Sequence, residues 1–589
     1  MARQSRRYGL LVSGLLLVAL VALPVQAGNA PIAKGAVRTD NGVQAQFVVF
    51  AEGSPQSGVV NYTMTGGGAR GGFTLSSCVY QDGNRLWAVG PTTHYAGEVD
   101  GVPWEPGEYQ LLAIEDNDAS GEPDRRAIYP GGDFSVEDFC ENPELWVGAF
   151  PAIFNVVRGD IMISQPTDID FWVAFSDETR LGFTEEKAAE FNEKHPEYNV
   201  KVTSFASYND VFDAVMHAVD SGEPPGLSHF LEVGTRQALD AVDGDGNPIF
   251  KSVTEAIGNR KQILGEPVVL DSVVDAARNY YTVNGSFYSM PWNTSTAIMF
   301  NNMDMLNEAG ITEPPATWAD VDAACQAVMA LPDAPEGCIT WPNHSWFVEQ
   351  SLGQQGELLG NADNGRTGRA TEVYLESDGI LDYIGWWKDL ANNGYYTYTG
   401  LQQDWGGTSN AFLAHEVAML VYSSSNTTFF DDNADFTLEA SFMPYNGDKE
   451  YVGNLIGGAT IWMLDGMDQA TEDGALAFLN FFSNAENAAA WHQLTGYVPI
   501  TQDAVDLLEA EGWYDENPNS RVASDQLAAA QDTPASLGAL LGDFIAIRDV
   551  ITIATEDILV DDANLAGRMA AANIEANETL AEYEAIYGG

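Results

Sequence analysis

Four polar stretches carry the residue types that could hold a small solute. Phe230-Leu231-Glu232-Val233-Gly234-Thr235 ends an apolar run on a carboxylate. Ser289 to Thr296 sets hydroxyls and an amide just before the apolar Ala297-Ile298-Met299-Phe300, and Val421 to Asn426 repeats the device. Asn454-Leu455-Ile456-Gly457-Gly458-Ala459 places two glycines where a ligand can approach bare backbone amides. A carboxylate accepts from hydroxyls, whereas hydroxyls, amides and backbone N–H groups can donate to an anion. Read singly, each stretch is also an ordinary strand end or turn.

No catalytic constellation accompanies them. The sequence has no Gly-x-Ser-x-Gly elbow, no His-Glu-x-x-His and no glycine-rich dinucleotide loop after a strand, and its 7 histidines are scattered. Asp243-Gly244-Asp245-Gly246-Asn247 begins like a calcium loop, but Pro248 replaces the required glycine and Thr254 stands where the bidentate glutamate belongs. Glu115-Asp116-Asn117-Asp118, with Asp124 beyond it, reads as a solvated acidic turn, with calcium as the alternative. The glycine cluster from Gly66 to Gly72 lacks the Lys-Ser/Thr ending of a phosphate-binding loop and reads as a flexible turn. Among so many acids some carboxylates must be close by chance, so a glycosidase-like dyad stays open. The expectation is a protein with no catalytic residue, no metal and no cofactor.

The elements that position these stretches fall into two patterns. From 28 to 160, short runs such as Gln46 to Phe50, Leu86 to Val89 and Tyr109 to Ile114 alternate with Gly, Pro, Asn and Asp, which predicts an all-β, sandwich-like domain or a small barrel. Beyond Gln165-Pro166 the period changes. Ile169 to Phe175 reads as a strand, Thr184 to Lys194 as a helix ended by His195-Pro196, and Tyr198 to Val202 as a strand again. That is a βαβ unit of an α/β protein with a parallel sheet, and over 400 residues of this class imply two lobes. Further helices are expected near 317–330, 470–482, 484–493 and 564–586.

The chain opens with Arg3, Arg6 and Arg7, a mostly apolar run from Gly9 to Leu23, and Val25-Gln26-Ala27, the pattern of a signal peptide spanning 1–27. An exported, periplasmic protein follows from it. No later stretch is apolar and long enough to span a bilayer. The formal charge is −59 over 589 residues, and loss of three signal arginines takes it to −62. Such a field repels nucleic acid and anionic membranes, and acids spread along the whole chain suit salty surroundings. Four cysteines in an exported chain imply disulfides. Cys78 with Cys140 and Cys325 with Cys338 is the economical pairing.

From about residue 166 onward the chain resembles the extracellular solute-binding proteins of ABC importers, family 1, and within them the glycerol-3-phosphate-binding group. The resemblance rests on Phe230 to Thr235, Pro291 to Thr296, Ile456-Gly457-Gly458-Ala459, and above all Glu486 to Thr501. It implies a two-lobed periplasmic-binding-protein fold, type II and maltose-binding-like, with crossings near 293, 423 and 456. Lobe 1 would comprise 166–292 and 424–455, and lobe 2 would comprise 293–423 and 456–589. The family's ligand-binding positions fall on Tyr208, Glu232, Ser295, Ser423, Gly458, Tyr497 and Arg548, and its two site tryptophans on Trp341 and Trp346, there with spacing shifted by a residue or so. Arg548 is expected to meet a phosphate and Glu232 the glycerol hydroxyls. The family's early Phe-Trp-His reads Phe171-Trp172-Val173 here. The resemblance implies a monomer that hands sn-glycerol-3-phosphate, or a glycerophosphodiester such as glycerophosphocholine, to the transmembrane subunits of a permease. The alternatives are an oligosaccharide binder of the same class and a surface or adhesion protein working through its β domain.

Overall fold

The computed structural model describes residues 33–163, apart from breaks at 41–42, 53–56, 67–68, 100–101, 104–108, 118–122, 131–138, 141–150, 153 and 159–160, and residues 166–588 without a break. The expected signal peptide, 1–27, and Asp118 of the acidic turn lie outside the described residues. The chain divides into two units, Met1–Gln165 and Pro166–Gly589.

The first unit is built from β1 (Ala33–Thr39), β2 (Gln44–Glu52), β3 (Ser57–Gly66), β4 (Ala69–Asp82), β5 (Arg85–Val99), β6 (Val102–Pro103), β7 (Tyr109–Glu115), β8 (Arg125–Pro130), β9 (Phe154–Arg158) and β10 (Ile161–Ile163). Neighbouring strands pair antiparallel. β9 then pairs with both β8 and β1, which brings the sheet back to its first strand. The sandwich-like expectation is corrected to one sheet closing on itself, the small-barrel alternative. Closure removes the unpaired edges that two open sheets would leave. Period-two alternation sets the layers. Leu86, Ala88, Leu112 and Ile114 belong to one buried cluster, while Trp87, Val89, Leu111 and Ala113 join Phe139 in another.

Part of the glycine cluster is strand, since Ala69 to Gly72 pair with β3 and β5. Asp124 is buried, with Oδ1 accepting from the Asn117 amide and Oδ2 from the Ile161 amide, both at 2.8 Å. Its oxygens tie strands together. Cys78 is bonded to Cys140 in this unit and Cys325 to Cys338 in the second.

The second unit begins with β11 (Thr167–Val173), α1 (Glu178–Lys194) and β12 (Tyr198–Ser204). α1 starts six residues before the expected Thr184, because Asp177 caps it by accepting from the Arg180 amide at 2.9 Å. α2 (Tyr208–Ser221) and β13 (Leu227–Leu231) follow. β11 lies between β12 and β13, parallel to both. β14 (Phe250–Lys251) and β15 (Met290–Ser295) come next, then β16 (Ala297–Asn302), β17 (Ile339–Thr340), α3 (Ser345–Gln354), β18 (Met419–Ser423), β19 (Leu438–Phe442) and β20 (Gly457–Leu464). The expected later helices are present at Trp318–Val328, Gln469–Phe482, Ala485–Thr495 and, as the last helix, Leu565–Tyr587.

Two sheets result. One runs β12-β11-β13-β20-β14, with β15 also on β20, and the other runs β17-β18-β16-β19. β16 is apolar on both faces. Ile298 and Phe300 enter the core shared with the first sheet, and Ala297 and Met299 enter the core of the second lobe.

Only Thr296 separates β15 in the first sheet from β16 in the second. Its carbonyl accepts from the Ser424 amide at 2.9 Å, its amide donates to Ser424 Oγ at 3.2 Å, and its hydroxyl donates to the Leu455 carbonyl at 2.8 Å. One residue thus binds the three connecting segments. The lobe boundaries need correction. β19 pairs with β16, so 438–442 belongs to the second sheet, and β20 pairs with β13, so 457–464 belongs to the first. The polar punctuation near 423 and 456 marks the crossings, but lobe membership follows the strand that each returning segment bonds to.

Candidate functional site

β13 delivers Glu232 at its end, β15 delivers Asn293 and Ser295, and β20 delivers Gly457 and Gly458, so three adjacent strands of the first sheet end at one place. Gly458 has φ +99°, and a Cβ there would collide with the Asn293 carbonyl oxygen. Only glycine allows β15 and β20 to approach this closely. Ser295, opposite Gly457 in the register, is buried. Trp346, on α3, packs on Gly457, where a Cβ would come within 2.5 Å of its ring, and its indole N–H is buried with no partner among the described residues.

Asn293 organises one end. The Ala174 amide donates to His229 Nδ1 at 3.4 Å, so Nε2 carries the proton and donates to Asn293 Oδ1 at 2.7 Å. Burial pushes the His229 imidazole down to about 3, which keeps it neutral. The Asn293 amide nitrogen must then be the donor, and it reaches the hydroxyl oxygens of Tyr208 at 3.1 Å and Tyr497 at 3.3 Å. Arg180 Nη1 donates to the same Tyr497 oxygen at 3.5 Å. Both phenol oxygens are occupied as acceptors, and each keeps its own O–H to donate. Burial raises the Tyr208 phenol well above its ordinary value, so that proton stays on. Tyr497 is held by stacking on Trp491, with 5.5 Å between ring centroids, and by His492 Nδ1 at 2.7 Å from its carbonyl oxygen.

The other end is acidic. Arg548 lies on a helix spanning Phe544–Leu559 in the second lobe. Its Nε and Nη2 donate to Glu349 at 2.8 Å each, and Nη2 also donates across the lobes to Glu232 Oε1 at 2.8 Å. All three side chains are buried. Desolvation alone would lower the Arg548 guanidinium, but Glu349 and Glu232 outweigh it and raise it, so the charge is held firmly. Burial raises the Glu232 carboxyl, against the pull of Arg548. Glu232 Oε2 is buried with no partner among the described residues. Two carboxylates against one guanidinium leave no surplus positive charge. Nε and Nη2 of Arg548 are committed to Glu349 and Glu232, not to its neighbour Asp549, while its Nη1 has no acceptor among the described residues.

Tyr208, Glu232, Ser295, Gly458, Tyr497, Arg548 and Trp346 are therefore brought around the lobe junction. Ser423 is half-buried at the end of β18, opposite Ala297, with its Oγ 2.9 Å from Ser425 Oγ. Trp341 is not part of this set. It is 1% exposed and packed among Tyr383, Trp386, Trp387 and Tyr396, so its expected ligand role is corrected to core packing of the second lobe. Trp405 is half-buried, with its centroid 6.4 Å from that of Trp346. Sequence reasoning alone misses Asn293, Arg180 and Glu349. Asn293 lies inside the polar stretch from Ser289 to Thr296 but stands out from its neighbours in no way, and Glu349 is a lone acid in the wholly buried helix Ser345–Gln354. Arg180 is hidden because the helix is expected to start after it.

Among the described residues no group of His, Cys, Asp and Glu could hold a metal ion, and no helix is long and apolar enough to cross a membrane.

Residues 186–522 match the family described as bacterial extracellular solute-binding protein. The sn-glycerol-3-phosphate-binding periplasmic protein of Yersinia enterocolitica is 30% identical over 395 residues, covering 65% of this chain and 86% of that one. Its counterpart in Pectobacterium atrosepticum is 29% identical over 402 residues, with 67% and 86% covered. Among solved structures, UgpB from Mycobacterium tuberculosis in complex with glycerophosphocholine superposes with a TM-score of 0.57 at 20% identity, over 70% of this chain and 98% of that one. The GacH receptor of Streptomyces glaucescens, solved with acarbose, gives 0.57 at 16% identity over 71% and 99%. The two-lobed, maltose-binding-like architecture is common to these structures.

Proposed function

The chain belongs to the bacterial extracellular solute-binding protein family, as the solute-binding component of an ABC importer, and on that premise we propose that it captures sn-glycerol-3-phosphate or a glycerophosphodiester between its lobes. The similar proteins bind and deliver substrate and are not enzymes. The reading continues with export, signal cleavage near Ala27, a monomeric mature protein in the periplasm, and delivery to permease transmembrane subunits. Its acidic surface is read as adaptation to salt.

The observation that carries the ligand is the division of donors and acceptors. At one end, two tyrosyl O–H groups and the Arg180 Nη2 group have no acceptor among the described residues, which suits phosphoryl oxygens. At the other, Glu232 Oε2 is a buried acceptor without a donor among the described residues, which suits a glycerol hydroxyl. The names of the similar proteins, several of them sn-glycerol-3-phosphate-binding, agree with this division.

A second reading, an oligosaccharide ligand, is favoured by the Trp346–Trp405 pair, since aromatic faces pack well on sugar rings. A thermal-shift screen separates the two. A ligand at a hundredfold excess over its Kd stabilises the folded state by about 2.7 kcal/mol. Glycerol-3-phosphate or glycerophosphocholine raises Tm under the first reading, and maltose or maltotriose under the second. No response to either phosphate would remove the first.

A further inference from the structure

We propose that Arg366 and Arg369 form a latch outside the ligand site, which holds the two lobes together and thereby sets part of the solute affinity. Both arginines belong to the second lobe, whose core contains Leu359, Ala370 and Val373 on either side of them. They follow a left-handed turn. Ala362, Asp363 and Asn364 have φ of +52°, +52° and +61°, and Gly365 has +75°. Three consecutive L-residues keep that conformation only where their surroundings hold it. Asn364 Oδ1 accepts from the Leu359 amide at 2.7 Å and the Gly360 amide at 3.0 Å, and Nδ2 donates to the Pro534 carbonyl at 3.1 Å. A Cβ on Gly365 would collide with the Leu540 carbonyl oxygen.

The turn aims both guanidinium groups at the first lobe. Arg366 Nη1 donates to the Tyr280 carbonyl at 2.6 Å, and the Tyr280 hydroxyl donates to the Glu232 carbonyl at 3.1 Å. Arg369 forms a bidentate pair with Asp240, Nη1 to Oδ1 at 2.7 Å and Nη2 to Oδ2 at 2.9 Å. Asp240 ends the short helix Thr235–Asp240, which follows directly on Glu232-Val233-Gly234. The two arginines therefore hold both ends of the segment that presents Glu232. The last helix of the chain completes the latch. Glu584 accepts from Arg369 Nε at 2.6 Å, and the Tyr583 hydroxyl donates to Asp240 Oδ2 at 2.9 Å. The Asp240 side chain is 7% exposed, so salt screens the pair far less than it screens the acidic surface. Opening the lobes must break a bidentate pair of narrow geometry. A solute that touches both lobes binds more tightly when a larger fraction of the protein is already closed.

Lobe separation is read without solute, so the test stands apart from the glycerol-phosphate reading. The four cysteines are paired in disulfides, which leaves Asp213→Cys in the first lobe and Asn307→Cys in the second, both exposed, as the attachment points for spin labels. Double electron–electron resonance on the mature full-length protein then gives the distance distribution between lobes. Arg369→Gln is expected to move it to longer distances and to raise the Kd for sn-glycerol-3-phosphate about 10-fold, within the usual range of coupling between sites. Asp240 keeps Arg236 and Tyr583 as donors in that variant, so no buried carboxylate is stranded. Asp240→Asn is expected to give the same shift, and the double variant no more than either single one, as for two halves of one contact. Distance distributions of both single variants that overlay the wild type, or an unchanged Kd, overturn the latch.

Discussion

Arg548 Nη2 donates to Glu232 Oε1 at 2.8 Å, joining a helix of the second lobe to the end of a strand of the first. The same guanidinium is held by Glu349, so deleting it strands two buried carboxylates. Arg548→Ala is therefore expected to cost about 3–5 kcal/mol of stability at neutral pH, the usual range for breaking a buried pair. Urea unfolding at pH 7 measures it. A cost under 1 kcal/mol, by the same measure about that of an exposed pair, would mean that the triad is solvated.

Gly458 and Gly222 both have positive φ, +99° and +79°, but only Gly458 faces a neighbour. Around Gly222 nothing lies within 4 Å of the point that a methyl group would occupy. Gly222→Ala carries only the left-handed backbone cost, about 1–2 kcal/mol. Gly458→Ala must in addition push β15 away from β20, and it is expected to lower Tm several times further. Equal shifts in the two variants would show that the strands can separate freely.

Three histidines give stability a pH dependence of definite sign. Burial holds His229 and His344 near about 3 and His492 near about 4 in the folded protein. Unfolded, each takes a proton near about 6.5. Below that pH the unfolded state binds more protons, so stability falls as pH falls. The loss at pH 5.5 is about 1.4 kcal/mol for each histidine. His195, raised by Glu197 and Glu266 against its own desolvation, works the other way and offsets part of it. Urea unfolding between pH 7.5 and 5.5 should show a net decline. A flat profile would mean that these imidazoles are hydrated.

How much of the molecule is legible in the sequence varies with the physical signal. The βαβ unit, the later helices and the polar strand ends are readable because periodicity and capping are local. The start of α1 is missed although Asp177 is available as a cap, and with it Arg180. Lobe membership is misread because it depends on which strand β19 and β20 bond to, and nothing local in Leu438–Phe442 or Gly457–Leu464 encodes a partner. The choice between sandwich and barrel stays open in the sequence for the same reason. Trp341 and Trp346 are five residues apart, and only packing distinguishes a core tryptophan from a site one. The Arg548 triad is invisible because Glu349, 199 residues away, carries no motif.

The acidic surface predicts a strong salt response. A mature charge of −62 repels itself at low ionic strength, and raising salt from about 0.1 to about 1 M shortens screening from about 10 to about 3 Å. If repulsion costs a few kcal/mol, Tm should rise by roughly a few °C across that range. Differential scanning calorimetry of the mature protein in NaCl measures it. A Tm independent of salt would show that the acids are spaced widely enough to be harmless.

The central claim, that the lobes close on a glycerol phosphate, is tested most directly by calorimetry of the mature protein in high salt. The ligands are sn-glycerol-3-phosphate, glycerophosphocholine and maltotriose. One site per chain is expected for at least one of the two phosphates, with a Kd of about 10 μM or tighter, corresponding to about −7 kcal/mol, and no heat with maltotriose. Saturable binding of maltotriose with silence from both phosphates would contradict it.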